Sequence, residues 1–119
     1  MVGGKRFGKQ IGRDARARGT HIWLGPGVDM ARIPQNGRNF EYFGEDPYLT
    51  GQVAATVIQS VQAQGVAATV KHFVANDHES DRNLDSSEID ERTLREQNLV
   101  PFEAAVKQGG AWCVMSGYN

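Results

Sequence analysis

The stretch "VAATVKHF", Val66 to Phe73, decides the fold. It is a short apolar run that follows Gly65 directly, ends in the pair Lys71-His72, and gives way to polar residues. A continuous apolar run of this length, bounded by turn and polar residues, is typical of a strand buried on both faces, as in a parallel sheet. A cation and an imidazole therefore stand side by side at the carboxyl end of a predicted buried strand.

Helices are predicted on both sides of this strand. The clearest helix has Asp46 as its N-cap and Pro47 in its first position, and it stops at Gly65. A third helix begins at Asp90, and we expect Pro101 to kink it. Apolar residues spaced along one face predict the three helices, and Gly19 is the expected C-cap of the first. The apolar residues are Phe7, Ile11 and Ala15 in the first helix, Leu49, Val53, Val57 and Val61 in the second, and Leu94, Leu99, Phe102 and Val106 in the third.

Two further strands are predicted: a short one in "HIWLGPG" (21–27), which ends in a Gly-Pro-Gly breaker, and one in "AWCVMSGYN" (111–119). The element order is then α-β-α-β-α-β, and strands separated by whole helices pair in parallel. The predicted fold class is therefore α/β, with three parallel strands alternating with helices. The long polar connections, 28–45 and 74–88, follow strands, so they lie at the carboxyl ends of the strands, where α/β folds place their chemistry.

The composition is that of one globular domain. The chain has 119 residues, of which 39% are hydrophobic, and 13 Lys and Arg balance 14 Asp and Glu to a net charge of −1. This balance indicates neither a nucleic-acid partner nor a membrane-binding patch. The one cysteine, Cys113, excludes an intrachain disulfide and leaves the compartment open.

Three basic residues are candidates for ligand binding, and each has a plainer explanation. Lys71 and His72 could grip hydroxyls or a carboxylate, or Lys71 could reach solvent while His72 bonds to backbone. Arg38 offers five donors in a fixed fork that suits vicinal oxygens. It could equally form a salt bridge to Glu41 or Glu45 that holds its loop together.

The loop "NDHESDRN" (76–83) concentrates acidic residues and a histidine. Asp77, His78, Glu79 and Asp81 could suggest a metal site or a catalytic carboxylate pair, but their spacing matches no common zinc or calcium pattern. We expect no metal here, and instead solvated charges with one or two substrate contacts. The chain also has no Gly-rich phosphate loop, so we expect no cofactor.

Four ordered blocks resemble one known family. "GRNFEYFGEDPYLTG", "GVAATVKHFVAND", "DERTLRE" and "VMSGYN" are similar to the N-terminal barrel domain of the family 3 glycoside hydrolases, in the β-glucosidase group. The resemblance covers essentially the whole chain. It implies that residues 1–119 form a single partial domain, the central part of that (β/α)8 TIM-like barrel. The N-acetylhexosaminidase branch, which carries Lys-His-Phe-Pro-Gly-His-Gly, is disfavoured by "KHFVANDHE".

The resemblance also implies a set of substrate-binding residues. In the family, the Lys-His pair binds hydroxyls of the sugar on the near side of the cleaved bond. One arginine binds the same sugar, a second one does so in part of the family, and residues of the "VMSGYN" type line the subsite. Carried over by motif, the implied residues are Arg38, Lys71, His72, Arg82, Met115 and Tyr118.

The catalytic residues of the family have no counterpart in these 119 residues. The nucleophile belongs to a Ser-Asp-Trp-like motif on a later strand, and the acid/base is a Glu in a following domain. We therefore expect a fragment of a retaining, exo-acting β-glucosidase that hydrolyses terminal β-D-glucosyl residues. Its ligand would be a β-glucoside or a short β-linked oligosaccharide, and the missing barrel strands and second domain would belong to the full-length protein. The alternative is a non-catalytic α/β sugar-binding module.

Overall fold

Three parallel strands run through the molecule, and helices pack against them. The computed structural model describes residues 2–119. Its elements are α1 (Val2–Ala17), β1 (Ile22–Trp23), a 3₁₀ turn (Asn39–Glu41), α2 (Pro47–Gln62), β2 (Ala67–Phe73), α3 (Glu91–Thr93), a π-helical segment (Leu94–Asn98), α4 (Leu99–Lys107) and β3 (Cys113–Ser116). None of the helices described between residues 2 and 119 is both long and apolar enough to cross a bilayer.

The strand that decides the fold lies at the centre of the sheet. The strand order is β1-β2-β3, and both pairings are parallel. Ile22 lies opposite Ala67, and Lys71 lies opposite Met115. The predicted α/β fold with three parallel strands is confirmed.

The predicted helix ends are confirmed in detail. The Asp46 carboxylate accepts a hydrogen bond from the Leu49 amide at 2.9 Å, and Asp90 accepts one from the Thr93 amide at 3.0 Å. These contacts satisfy amide groups that have no partner inside the helix. Gly65 follows α2 with a φ of +76°, in the left-handed region that glycine adopts most easily.

The core lies between α2 and the sheet. Val57, Ile58 and Val61 of α2 pack with Val70 of β2, and all four are completely buried. Helix α1 approaches α2 closely through Gly8, where an added Cβ would come within 2.6 Å of the Val57 carbonyl oxygen. This packing fixes β2 in place, and with it the position of the Lys-His pair at its end.

The first strand is short and ends before the Gly-Pro-Gly breaker, as predicted. Only Ile22 and Trp23 are regular strand. The backbone still pairs with β2, because the Thr69 amide donates to the Gly25 carbonyl and the Lys71 amide donates to the Pro26 carbonyl. Pro26 has no amide hydrogen to return, so the regular ladder is interrupted there.

The predicted third helix is irregular just before Pro101. The π-helical segment Leu94–Asn98 ends just before α4, and Pro101 lies in the first turn of α4. A proline ring clashes with the carbonyl four residues earlier, which here belongs to Gln97. The wider π turn re-routes the hydrogen bonds over this stretch, since the Leu99 amide donates to the Leu94 carbonyl.

Candidate functional site

Five of the six predicted site residues meet where β2 and β3 end. The carboxylates of Glu41 and Glu79 link three of the basic residues among them, and the Tyr118 ring contacts one of those three and His72. We call these five residues and the two glutamates the strand-end cluster: Arg38, Glu41, Lys71, His72, Glu79, Arg82 and Tyr118. The sixth, Met115, lies opposite Lys71 in the β2–β3 ladder and is partly buried.

An irregularity in β2 allows two adjacent side chains to enter the interior together. A regular strand would point Lys71 and His72 to opposite faces. The register of the β2–β3 pairing shifts between Lys71 and Phe73. Lys71 is 9% exposed and His72 is 0% exposed. The interpretation of Lys71 as a solvent-reaching side chain is wrong.

His72 is held by a carboxylate rather than by a backbone carbonyl. Asp29 Oδ2 lies 3.1 Å from His72 Nδ1 and also accepts the His72 backbone amide at 3.0 Å. Both side chains are almost fully buried. When Nδ1 donates to Asp29, the neutral ring leaves Nε2 as an acceptor. Within residues 2–119, that buried Nε2 atom has no hydrogen-bond partner.

One carboxylate joins the other two basic candidates. Glu41 Oε2 lies 2.9 Å from Lys71 Nζ, and Glu41 Oε1 accepts a hydrogen bond from Arg38 Nε. Burial acts to raise the pKa of Glu41, but the hydrogen bonds and charges of Lys71 and Arg38 together outweigh it and hold the pKa below its ordinary value. Of the two salt bridges considered for Arg38, the one to Glu41 exists.

A second carboxylate connects the loop after β2. Glu79 accepts hydrogen bonds from Arg82 Nη1 and from Asn76 Nδ2, the latter at 2.9 Å. Arg38 Nη1 lies 3.6 Å from the same group. The expectation that the acidic residues of this loop are solvated is therefore wrong for Glu79, because its neighbours are Asn76 and two arginines of the cluster.

Tyr118 closes the cluster on the β3 side. The Arg82 guanidinium carbon lies 4.0 Å from the centre of the Tyr118 ring, within the range of a cation–π contact. The His72 and Tyr118 rings are 5.5 Å apart. Tyr118 thus contacts a residue of β2 and a residue of the following loop, although it comes from a third segment of the chain.

The rest of the acidic loop lies outside these contacts. Asp77 accepts the Met30 amide at 3.2 Å and Asn98 Nδ2 at 3.3 Å, and burial, followed by the charge of Asp29, raises the pKa of Asp77. His78 forms a partly exposed pair with Asp85 at 2.9 Å. Over residues 2–119, no three His, Cys, Asp or Glu side chains are placed together so that they could hold a metal.

The sequence reasoning missed the residues that hold the basic groups. Asp29 was not singled out, and Glu41 and Glu79 were treated only as a local bridge and a solvated charge. Glu41 follows Arg38 by three positions, which is a usable signal. Asp29 contacts a residue 43 positions away, and the sequence around it gives no sign of that contact.

The arrangement suits a neutral ligand that is rich in hydroxyl groups. Three cationic side chains share two carboxylates, so hydrogen-bond donors remain free on Lys71 Nζ and on the guanidinium groups. The Nε2 atom of His72 adds a buried polar atom that a hydroxyl could satisfy. Tyr118 and Met115 provide less polar surface beside these groups.

Comparison with known proteins identifies relatives along nearly the whole chain. The family model described as "Glycosyl hydrolase family 3 N terminal domain" matches residues 4–119. A beta-glucosidase of Rhizobium radiobacter is 52% identical over 115 residues, which are 97% of this chain and 14% of that protein. The thermostable beta-glucosidase B of Acetivibrio thermocellus is 49% identical and is covered to 15%. The chain thus spans about a seventh of the length of these relatives.

Solved structures agree with the sequence relatives. Beta-glucosidase 3B from Thermotoga neapolitana, determined in complex with glucose, superimposes with a TM-score of 0.94 at 45% identity, over 98% of this chain and 16% of that one. The beta-glucosidase from Kluyveromyces marxianus in complex with glucose gives a TM-score of 0.95 at 44% identity, over 98% of this chain and 14% of that one. These likenesses confirm the expected fold class, three parallel strands of a TIM-type barrel. The chain belongs to glycosyl hydrolase family 3.

Proposed function

We propose that the chain is the sugar-binding part of a retaining, exo-acting β-glucosidase that hydrolyses terminal β-D-glucosyl residues. In this proposal, residues 1–119 form the central part of the N-terminal barrel. The remaining strands and a second domain of the full-length protein supply the nucleophile and the acid/base. Support comes from the names of the relatives, which are beta-glucosidases, and from neighbours determined with glucose.

The observation that carries this proposal is the burial of Lys71 and His72, with the His72 Nε2 atom left without a hydrogen-bond partner among residues 2–119. A buried polar atom without a partner costs about 1–3 kcal/mol, which a ligand hydroxyl would recover. A sugar hydroxyl both donates and accepts, so it can pair with His72 Nε2 in either protonation state. A ligand bound here would therefore be fixed by its hydroxyl groups rather than by a charge of its own.

The cluster also suits the transition state of glycoside hydrolysis. That transition state resembles an oxocarbenium ion, and hydrogen bonds to the ring hydroxyls strengthen as its charge develops. Binding energy gained at those hydroxyls can then lower the barrier at the reacting carbon. We assign hydrogen bonding to Arg38, Lys71, His72 and Arg82. Met115 and Tyr118 line the same subsite.

The proposal can be tested by returning the chain to a complete enzyme. The matching segment of the Rhizobium radiobacter beta-glucosidase is replaced by this chain, and we call the product the grafted enzyme. We expect it to hydrolyse an aryl β-glucoside. The isolated chain should not, because retaining chemistry needs two carboxyl groups about 5 Å apart across the scissile bond.

Two results would contradict the proposal. One is a folded grafted enzyme that binds no glucoside. The other is turnover by the isolated chain that is lost when Glu79 or Asp81 is replaced, since the loop carboxylates would then perform the chemistry. Tight glucose binding by an isolated chain that is monomeric and unfolds cooperatively would favour the non-catalytic sugar-binding module.

A further inference from the structure

Glu41 occupies a position that a simple loop salt bridge does not require. Its two carboxylate oxygens face different partners, Oε2 facing Lys71 Nζ and Oε1 facing Arg38 Nε. Lys71 comes from the end of β2, whereas Arg38 and Glu41 come from the long loop after β1. A contact only within the loop would use Arg38 and leave the second oxygen to solvent. Here the second oxygen joins the loop to the strand.

No other carboxylate among residues 2–119 could replace Glu41 as the shared counter-ion of Lys71 and Arg38. Within residues 2–119, the Glu41 carboxylate is the only one within 4.0 Å of Lys71 Nζ. Glu79 lies 3.6 Å from Arg38, and it is already hydrogen-bonded to Arg82 and Asn76. Loss of the Glu41 charge would therefore leave Lys71 without a counter-ion.

The environment of Glu41 favours a permanent charge. Its side chain is 20% exposed and that of Lys71 is 11% exposed, so solvent screens the pair less than it screens a surface pair. The hydrogen bonds from both cations keep the pKa of Glu41 below its ordinary value although burial opposes them. The carboxylate thus separates two like charges that would otherwise repel each other.

We propose that Glu41 is a positioning residue that holds Lys71 and Arg38 together at the distance and orientation in which both donate to hydroxyls of one sugar. This inference rests on the proposed function. Both carboxylate oxygens of Glu41 bind the two cations, so Glu41 itself does not contact the sugar. Its effect on binding passes through Lys71 and Arg38.

A matched pair of substitutions in the grafted enzyme isolates this role. Glu41→Gln removes the charge with little change of shape, and Glu45→Gln removes the same charge from an exposed side chain of the same loop. We expect Glu41→Gln to lower kcat/KM for an aryl β-glucoside roughly tenfold or more, and Glu45→Gln to leave it unchanged. Glu41→Asp, which keeps the charge on a shorter side chain, should recover part of the loss.

A double-mutant cycle with Lys71→Ala separates positioning from general stability. If Glu41 acts through Lys71, adding Glu41→Gln to Lys71→Ala should cost much less than the roughly tenfold that it costs alone. The proposal would be overturned if the kcat/KM losses of Glu41→Gln and Lys71→Ala multiplied in the double variant. It would also be overturned if Glu41→Gln and Glu45→Gln lowered kcat/KM equally.

A structural readout keeps this inference independent of activity. In crystals of the grafted enzyme carrying Glu41→Gln, Lys71 Nζ should leave its parental position. A Lys71 side chain that stays in place would contradict the positioning role, even if the parent enzyme proved inactive. An inactive parent in which Lys71 moves as expected would instead count against the proposed function alone.

Discussion

The same types of ion pair have different roles in two regions of the molecule. Lys71 and Glu41 in the strand-end cluster are 2.9 Å apart, and Lys107 and Glu103 on α4 are 2.6 Å apart. The side chains of the first pair are 11% and 20% exposed, and those of the second pair are 73% and 61% exposed. Distance therefore does not distinguish them, whereas burial does.

The regions also differ in what they connect. The pair on α4 joins residues four positions apart in one helix, and such exposed pairs contribute little to stability. The strand-end cluster joins the loop after β1, the end of β2, the loop after β2 and the end of the chain beyond β3. Substitutions at matched positions in the two regions should therefore have very different effects on binding.

The largest effect is expected from Lys71→Ala in the grafted enzyme. It should reduce kcat/KM for an aryl β-glucoside by roughly 10²-fold, because a charged donor to a buried hydroxyl is lost. Lys107→Ala is the matched control and should leave kcat/KM unchanged. Steady-state kinetics checks both, and equal effects from the two variants would remove the distinction between the regions.

A smaller effect is expected from Arg82→Gln. Arg82 contributes a hydrogen bond to Glu79 and a contact to the Tyr118 ring, but its side chain is 33% exposed. We expect a loss of roughly tenfold in kcat/KM, less than for Lys71. Arg92→Gln is the control, because Arg92 of α3 forms an exposed pair with Glu96 of the π-helical segment. A loss for Arg82→Gln that exceeds the Lys71→Ala loss would contradict the importance given to burial.

Asp77 tests burial of a carboxylate whose pKa is raised by burial although the charge of Arg32 acts in the opposite direction. Its raised pKa means that the folded state prefers the protonated group, so the contribution to stability is complete below the ordinary pKa of 3.8 and is lost as the pH rises through the folded-state pKa. Asp77→Asn should therefore gain thermal stability relative to the parent as the pH rises over that window. Scanning calorimetry of the grafted enzyme across pH measures the difference. If the stability of Asp77→Asn relative to the parent fell with rising pH, the raised pKa of Asp77 would be contradicted.

The smallest effect is expected from His78→Ala. His78 precedes Glu79 in the same loop, but its ring forms a partly exposed pair with Asp85, which is not a member of the strand-end cluster. We expect kcat/KM to change by no more than about twofold, as is usual for a partly exposed pair. A larger loss for His78→Ala than for Lys71→Ala would show that the Lys-His assignment is wrong.

The parts of the structure that were predicted correctly depend on local chemistry. The caps at Asp46 and Asp90 and the turn at Gly65 follow from side chains that act on their own neighbours. The parallel arrangement follows from strands separated by whole helices. The end of β1 before the Gly-Pro-Gly breaker was predicted, but the continued pairing of Gly25 and Pro26 with β2 was not.

The parts that could not be predicted depend on long-range contacts. The resemblance to a known family supplied the basic residues, but it did not supply the carboxylates that hold them. Asp29 and His72 are 43 positions apart, and Glu41 and Lys71 come from different segments of the chain. Hydrophobic periodicity reports which face of an element is buried, but it contains no information on which charges meet at the ends of the strands.

The most direct test of the central claim is a crystal structure of the grafted enzyme with glucose. We expect sugar oxygens at hydrogen-bond distance, about 2.7–3.2 Å, from Lys71 Nζ, His72 Nε2 and the Arg38 guanidinium. Glucose bound instead in the neighbouring cavity of about 360 Å³ lined by Arg32 and His78, with Lys71 and His72 left without contact to the sugar, would contradict the assigned sugar site.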